Sequence, residues 1–157
     1  MKYKIPAEIK VTRVRECVNT GIADDVPSVI RYWNANIVTS QWFSDDKEHV
    51  VTIMLDARLR PIGHNLVSIG SVNECMVQAR EVFRPAIVSA AYAIVMLHNH
   101  PSGDPSPSQA DHRVTRRMRE AADIVGIALI DHIIVGDERV TQNGAPGHFS
   151  FKEAGII

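Results

Sequence analysis

Ala93 to Asp111 reads AIVMLHNHPSGDPSPSQAD, and its character changes twice along the way. The first five residues, Ala93 to Leu97, are uniformly apolar, as in a strand covered on both faces. His98 and His100 follow with H-x-H spacing, and in an extended backbone residues i and i+2 point to the same side. The two imidazoles can therefore share one metal ion. Pro101 to Ser108 then contains three prolines, one glycine and three serines, which rules out continued strand or helix and predicts a fixed turn. Ser108-Gln109-Ala110-Asp111 opens a helix and brings a carboxylate back, in the first helical turn, toward the imidazoles. Two neutral imidazoles, one carboxylate and an open fourth position make the donor set of a catalytic rather than a structural zinc site. Each part also has a plainer reading. His98 and His100 can be polar residues at a strand end, and Ser108 with Asp111 fits a capping box in which the hydroxyl caps the helix and the acid faces its positive end. A capping box alone has no need of two histidines just upstream.

Working outward, Asp24 or Asp25 can cap a helix starting near Val26-Pro27, and Val29, Ile30, Trp33 and Ile37 form an apolar stripe at helical spacing. Ser44 to Lys47 is a polar turn before a strand led by Glu48. Arg60 to Gly63 reads as a turn and His64 to Ile69 as a returning strand. From Val72, apolar residues at helical intervals predict a helix ending near Tyr92, its regularity limited by Pro85. Gln109 to Val125 is a second helix with Val114, Met118, Ala121, Ala122 and Val125 facing inward and Gly126 as its terminator. Ile127 to Val135 is a buried strand, and Arg139 to Thr141 a short return strand. Ile5 to Val18 alternates imperfectly and suggests an edge strand or an extended arm. The organisation is then an arm over residues 1–23 and one domain over residues 24–157, of α+β or three-layer α/β/α class.

Composition bounds the function. A chain of 157 residues suits a single core. With 45% hydrophobic and 22% charged residues, it lies in the ordinary globular range. The formal charge of −1 lacks the excess of Lys and Arg that a dedicated nucleic-acid binder carries. Cys17 and Cys75 have no C-x-x-C partner and read as reduced thiols. No secretory h-region is visible at the start, and Ala86 to Leu97 is too short to span a bilayer, so the expected location is the cytoplasm, with no membrane contact.

On these residues the chain resembles the JAB/MPN domains that carry the JAMM signature, H-x-H followed by Ser-x-x-Asp, and HNHPSG resembles their RadC branch. Lys47-Glu48-His49 leading into Val50 to Asp56 is similar to the family's glutamate-led first strand. Gly70-Ser71-Val72, Ala79 to Phe83 and Asp131 to Gly136 are similar to later landmarks, so the likeness covers roughly Asp24 to Ile157. It implies a mixed sheet flanked by helices in a three-layer, cytidine-deaminase-like arrangement. It also implies a Zn(2+) cofactor held by His98, His100 and Asp111, with Glu48 as general base and acid and Ser108 as donor to the tetrahedral oxyanion. Without the resemblance, Glu48 is an ordinary acid before a strand. The implied reaction is hydrolysis of a peptide or isopeptide bond, with a peptide or protein conjugate as partner. The helix-hairpin-helix region of longer RadC proteins has no counterpart before Glu48, so the chain resembles a short form.

Several other residues bear on the reading. Asp104 is an alternative third ligand if the loop folds back, whereas His112, one residue past Asp111, should turn away from the metal. Asp131 and His132 face opposite sides of a strand, and either can orient a ligand. His49, His64 and His148 have no supporting pattern. A second class of function is a non-enzymatic accessory module in DNA repair or recombination on mobile elements, resting on the basic face of Arg113, Arg116, Arg117 and Arg119. A zinc deaminase is disfavoured by the lack of cysteine ligands.

Overall fold

The computed structural model describes residues 15–70, 77–141 and 146–157. Helix α1 (Val26–Tyr32) starts at Asp25, whose carboxylate accepts from the Ser28 N–H at 2.8 Å while the Ser28 hydroxyl accepts from the Asp25 N–H at 3.2 Å. It runs on into a π-helical turn, Trp33–Ile37, which the 3.6-residue spacing did not predict. Asn36 in that turn bonds both backbone groups of Val18 and so ties down the preceding extended chain. Arg15 to Val18 form no strand, and the earlier part of the expected arm lies outside the described residues.

Strands β1 (His49–Leu55), β2 (Pro61–Ile69), β3 (Ala93–Asn99), β4 (Ala128–Val135) and β5 (His148–Ser150) form one sheet in the order β2-β1-β3-β4-β5. Only the β3–β4 pair is parallel, so the sheet is mixed. Period-two alternation sorts its side chains. Val51, Ile53 and Leu55 of β1, with Ala93, Val95 and Leu97 of β3, pack under α1. Val50, Met54, Ile94 and Met96 face the other way, against α2 (Ala79–Val88) and α3 (Gln109–Val125). The class is α+β with the sheet between two helical layers, as expected. Each fully buried branched side chain contributes about 1.5–3 kcal/mol, so the two cores hold the sheet whether or not its polar end binds an ion.

Some boundaries differ from the expectation. The β1–β2 turn is tighter, because the Asp56 carboxylate accepts from Arg58 N–H, Arg60 N–H and the Arg60 guanidinium, so β2 begins already at Pro61. Helix α2 stops at Val88 rather than near Tyr92, closed by Ala90 N–H to Ile87 and Ala91 N–H to Ala86, with Ala90 at φ 52°. Arg139 to Thr141 is a turn and not a strand, because Arg139 clasps the Asp137 carboxylate through backbone and guanidinium and curls the chain. The returning strand is β5 instead. Val125, expected inward, borders the open groove between α2 and α3. The landmarks at Ser71 and Val72, the helix start expected there, and Cys75 lie outside the described residues. Among the described residues, no helix is long and apolar enough to cross a membrane.

Candidate metal centre

Strand β3 ends at the polar rim of the sheet. His98 pairs with Val50 of β1 and Ile134 of β4, and its even parity turns it to the α2/α3 side, where it is fully buried. The chain stays in register for two more residues, since the His100 N–H bonds the Val135 carbonyl at 2.9 Å. The proline-rich turn then delivers α3, capped by Ser108, and Asp111 sits at its third position, nearly fully buried. His98 Nε2 lies 3.1 Å from His100 Nε2 and 3.2 Å from Asp111 Oδ1, and His100 Nε2 lies 3.7 Å from Asp111 Oδ2. One donor atom from each of the three residues falls within a 4.8 Å cluster.

This donor set fits a divalent transition ion. Two ring nitrogens this close, facing one carboxylate, need a shared cation or an extra proton between them, and imidazole with carboxylate suits zinc and its neighbours. The opposite ring atoms are held: His100 Nδ1 lies 2.8 Å from the Asp104 carbonyl, and His98 Nδ1 lies 2.9 Å from His132 Nε2. A carbonyl only accepts, so His100 carries its proton on Nδ1 and presents a lone pair at Nε2. Burial pushes the Asp111 carboxyl up, but the His100 and His98 rings beside it and the Ser108 hydroxyl outweigh it and hold the group well below the usual carboxylate range. The Asp111 hydrogen bond raises His100 against the opposing effect of burial, with smaller contributions from the Asp104 carbonyl and Glu48. Burial pushes His132 well below the ordinary imidazole value.

Glu48 precedes β1 by one residue. Continuing the register Val50 to His98 by two residues sets it opposite His100. Glu48, His100, Pro101, Ser102, Ser108 and Asp111 line a common pocket of about 270 Å³. Asp111 Oδ2 accepts from the Ser108 N–H at 2.7 Å and the Ser108 hydroxyl accepts from the Asp111 N–H at 3.2 Å, so the capping box is complete, and the hydroxyl also donates to Oδ2 at 2.6 Å. Sequence reasoning missed Asn99, the middle residue of the H-x-H. Its side-chain amide donates to the Lys47 carbonyl at 2.8 Å and accepts from the His49 N–H at 2.9 Å, gripping the chain on both sides of Glu48. Thr115 was missed as well, though it stands at i+4 from Asp111; its hydroxyl contacts both the Asp111 carbonyl and His132.

The remaining candidates fall elsewhere. The Asp104 carboxylate accepts from Ser106 N–H within its own turn rather than joining the cluster. His112 packs edge-on against Phe151, turned from the site as the helical rotation requires. His49 bonds the carbonyls of Lys47 and Trp42, and His64 bonds Tyr32. Asp131 accepts from the Ser150 hydroxyl and Lys152 N–H, anchoring β5, whereas His132 touches His98. Arg117 and Arg119 bond the carbonyls of Val77 and Ile156. A groove of about 300 Å³ between α2 and α3 is lined by Phe83, Ile87, Ala121 and Val125 with Arg80 and Arg84, and among the described residues it has no acid, base or nucleophile for chemistry.

A buried H-x-H and helix-borne aspartate at the end of a mixed sheet define a JAB-type domain. Residues 24–156 match the family model for the RadC-like JAB domain, and the chain belongs to that family. It is 48% identical over 111 residues to a UPF0758 protein of Trichlorobacter lovleyi, covering 71% of this chain and 45% of the relative. A UPF0758 protein of Geobacter sulfurreducens is 46% identical over 111 residues, with the same two coverages. One from Thermotoga maritima is 40% identical over 112 residues, 71% of this chain and 47% of the relative. The match thus spans about half the length of these curated relatives.

Proposed function

We propose that this domain is a zinc-dependent hydrolase of peptide or isopeptide bonds. The observation that carries the reading is that the buried His98, His100 and Asp111 cluster opens onto the same pocket as Glu48 and Ser108. His98 and His100 would hold the ion through Nε2 and Asp111 through a carboxylate oxygen. Zinc in such a site acts as a Lewis acid and lowers the pKa of a water from about 15.7 toward 7. Glu48 takes a proton from the water that attacks the carbonyl carbon and gives it to the amine nitrogen as the C–N bond breaks. Ser108 donates its hydroxyl proton to the carbonyl oxygen as charge develops there, which requires that proton to leave Asp111 Oδ2. The alternative, an interaction module in DNA repair, has less support: two of the four arginines behind it bond carbonyls of their own chain.

The test starts with metal content. Wild type purified without chelator should hold one zinc per chain, and His98→Ala or His100→Ala should lose it while remaining folded. With zinc loaded, a fluorogenic peptide and isopeptide panel should identify a substrate. Glu48→Gln should then keep its zinc and lose about 10² to 10⁴ in turnover. Wild type that cannot take up added zinc, or a Glu48→Gln variant as fast as wild type, would remove the hydrolase reading.

A further inference from the structure

We propose that Thr115 and His132 are positioning residues: a buried hydrogen-bond relay whose polarity fixes His98 in the tautomer that presents a lone pair to the metal cluster. The inference rests on reading His98, His100 and Asp111 as ligands and assigns the control of one of them. The relay runs from the Asp111 carbonyl to Thr115 Oγ1 at 2.7 Å, on to His132 Nδ1 at 2.6 Å, and from His132 Nε2 to His98 Nδ1 at 2.9 Å. His98, Thr115 and His132 are each at most 1% exposed, so water is not available to satisfy these atoms.

The direction follows from which atoms carry protons. The Asp111 carbonyl can only accept, and Thr115 gives its one hydroxyl proton there. The Thr115 oxygen must then accept from His132, whose proton sits on Nδ1. A neutral imidazole protonated at Nδ1 has a lone pair at Nε2, so His98 must donate from its own Nδ1. His98 Nε2 is left unprotonated, and this is the atom 3.2 Å from Asp111 Oδ1 and 3.1 Å from His100 Nε2. The reverse polarity would aim an N–H at the ion. Because Asp111 supplies both the carbonyl at one end and a ligand oxygen at the other, the relay closes a ring around the site.

The fold places His132 for this purpose by an irregularity. Between Ile94 and Val95 the β3–β4 register skips from Leu129 to Asp131, so His132 comes beside Met96 and faces α3. Phe151 stacks on its ring with centroids 4.8 Å apart and 6° between planes, and the Phe151 N–H bonds the His132 carbonyl at 3.0 Å. The ring is therefore fixed in orientation, and Thr115 selects its tautomer.

The test uses Thr115→Val, which keeps the shape and deletes the hydroxyl, with Thr115→Ser as the restoring variant. In Thr115→Val the His132 Nδ1–H has no acceptor, so the proton should move to Nε2 and force the opposite tautomer on His98. Long-range ¹H–¹⁵N imidazole spectra of the metal-free protein at about pH 8.5, above the ordinary imidazole range, read this directly. Wild type and Thr115→Ser should show both rings protonated at Nδ1, and Thr115→Val both at Nε2. Zinc affinity by chelator competition should fall about 10- to 100-fold in Thr115→Val and recover in Thr115→Ser, with circular dichroism unchanged. A His98 Nδ1 without its proton in wild type, or Thr115→Val with wild-type zinc affinity, overturns the relay. Predicted tautomers in a wild type that takes up no zinc would support the relay and defeat the hydrolase reading.

Discussion

Asn99 separates the two histidines, yet its own bonds reach across to β1 at Lys47 and His49. Its removal leaves the buried His49 N–H without its acceptor and takes one of two donors from the Lys47 carbonyl, so Asn99→Ala should cost about 1–3 kcal/mol in urea unfolding. Asn99→Asp keeps the acceptor for His49 and sets a carboxylate against the Lys47 carbonyl, so it should be no better. An Asn99→Ala midpoint equal to wild type would mean that the clamp is not needed to hold Glu48. Ser108 offers a second measurement at this scale. As a cap its loss costs roughly 1 kcal/mol, whereas an oxyanion donor is worth about 10² to 10³ in turnover. Ser108→Asp, which caps well but cannot donate when ionised, separates the two: stable and fully active means cap only.

The loop carrying His100 is held by the turn after β4. Gly103 N–H bonds the His100 carbonyl at 2.9 Å, and the Gly103 carbonyl accepts from Asp137 N–H at 2.8 Å. Gly103 sits at φ +80°, and a Cβ there would lie 2.7 Å from Val140 Cγ2; at Gly136 a Cβ would collide with the Gly103 carbonyl. Backbone cannot give way as a side-chain tip can, so Gly136→Ala should lift the loop, lowering stability by about 2 kcal/mol or more and weakening zinc uptake. Gly126, at φ +76° with nothing within 4 Å of its Cβ position, is the control. Gly126→Ala should cost only the left-handed strain, about 1–2 kcal/mol, and leave zinc uptake unchanged. Equal zinc affinity in both variants would show that the turn does not brace the ligand loop.

Over the whole molecule, histidines that fold neutral weaken the protein in acid. Burial pushes His64 down to about 4, with Arg15 adding to it, and burial pushes His132 well below the ordinary imidazole value too. The unfolded chain takes up these protons near pH 6.5 and the native state does not. Stability is therefore fully present above about 6.5 and falls as pH drops toward 4, by up to about 3 kcal/mol for His64 alone. His100 has the opposite sign. Raised by Asp111, it stabilises the metal-free fold below its ordinary value and loses that contribution as pH rises through the raised one. The same proton competes with zinc, so zinc affinity should climb across that window. Urea midpoints of metal-free protein at pH 7.5, 6 and 4.5 check the acid limb, and His64→Gln should flatten it. An equal slope in that variant would assign the loss elsewhere.

The cluster of His98, His100 and Asp111, the turn within it, the cap at Ser108 and the terminator at Gly126 were legible in the sequence because each depends on neighbours a few positions away. Apolar runs likewise marked β3 and β4, the turn before Glu48 marked β1, and stripes at helical spacing marked α1 and α3, since the faces they bury are set by local backbone geometry. What the sequence could not contain was contact between distant segments. The grip of Asn99 around Glu48 spans some fifty residues, and the shift that turns His132 to His98 is a register irregularity between β3 and β4. Likewise β5 replaced the strand expected at Arg139 because Asp137 and Arg139 bond each other, while Asp131 anchors Ser150. Local propensity names which atoms are available; only packing decides which of them meet.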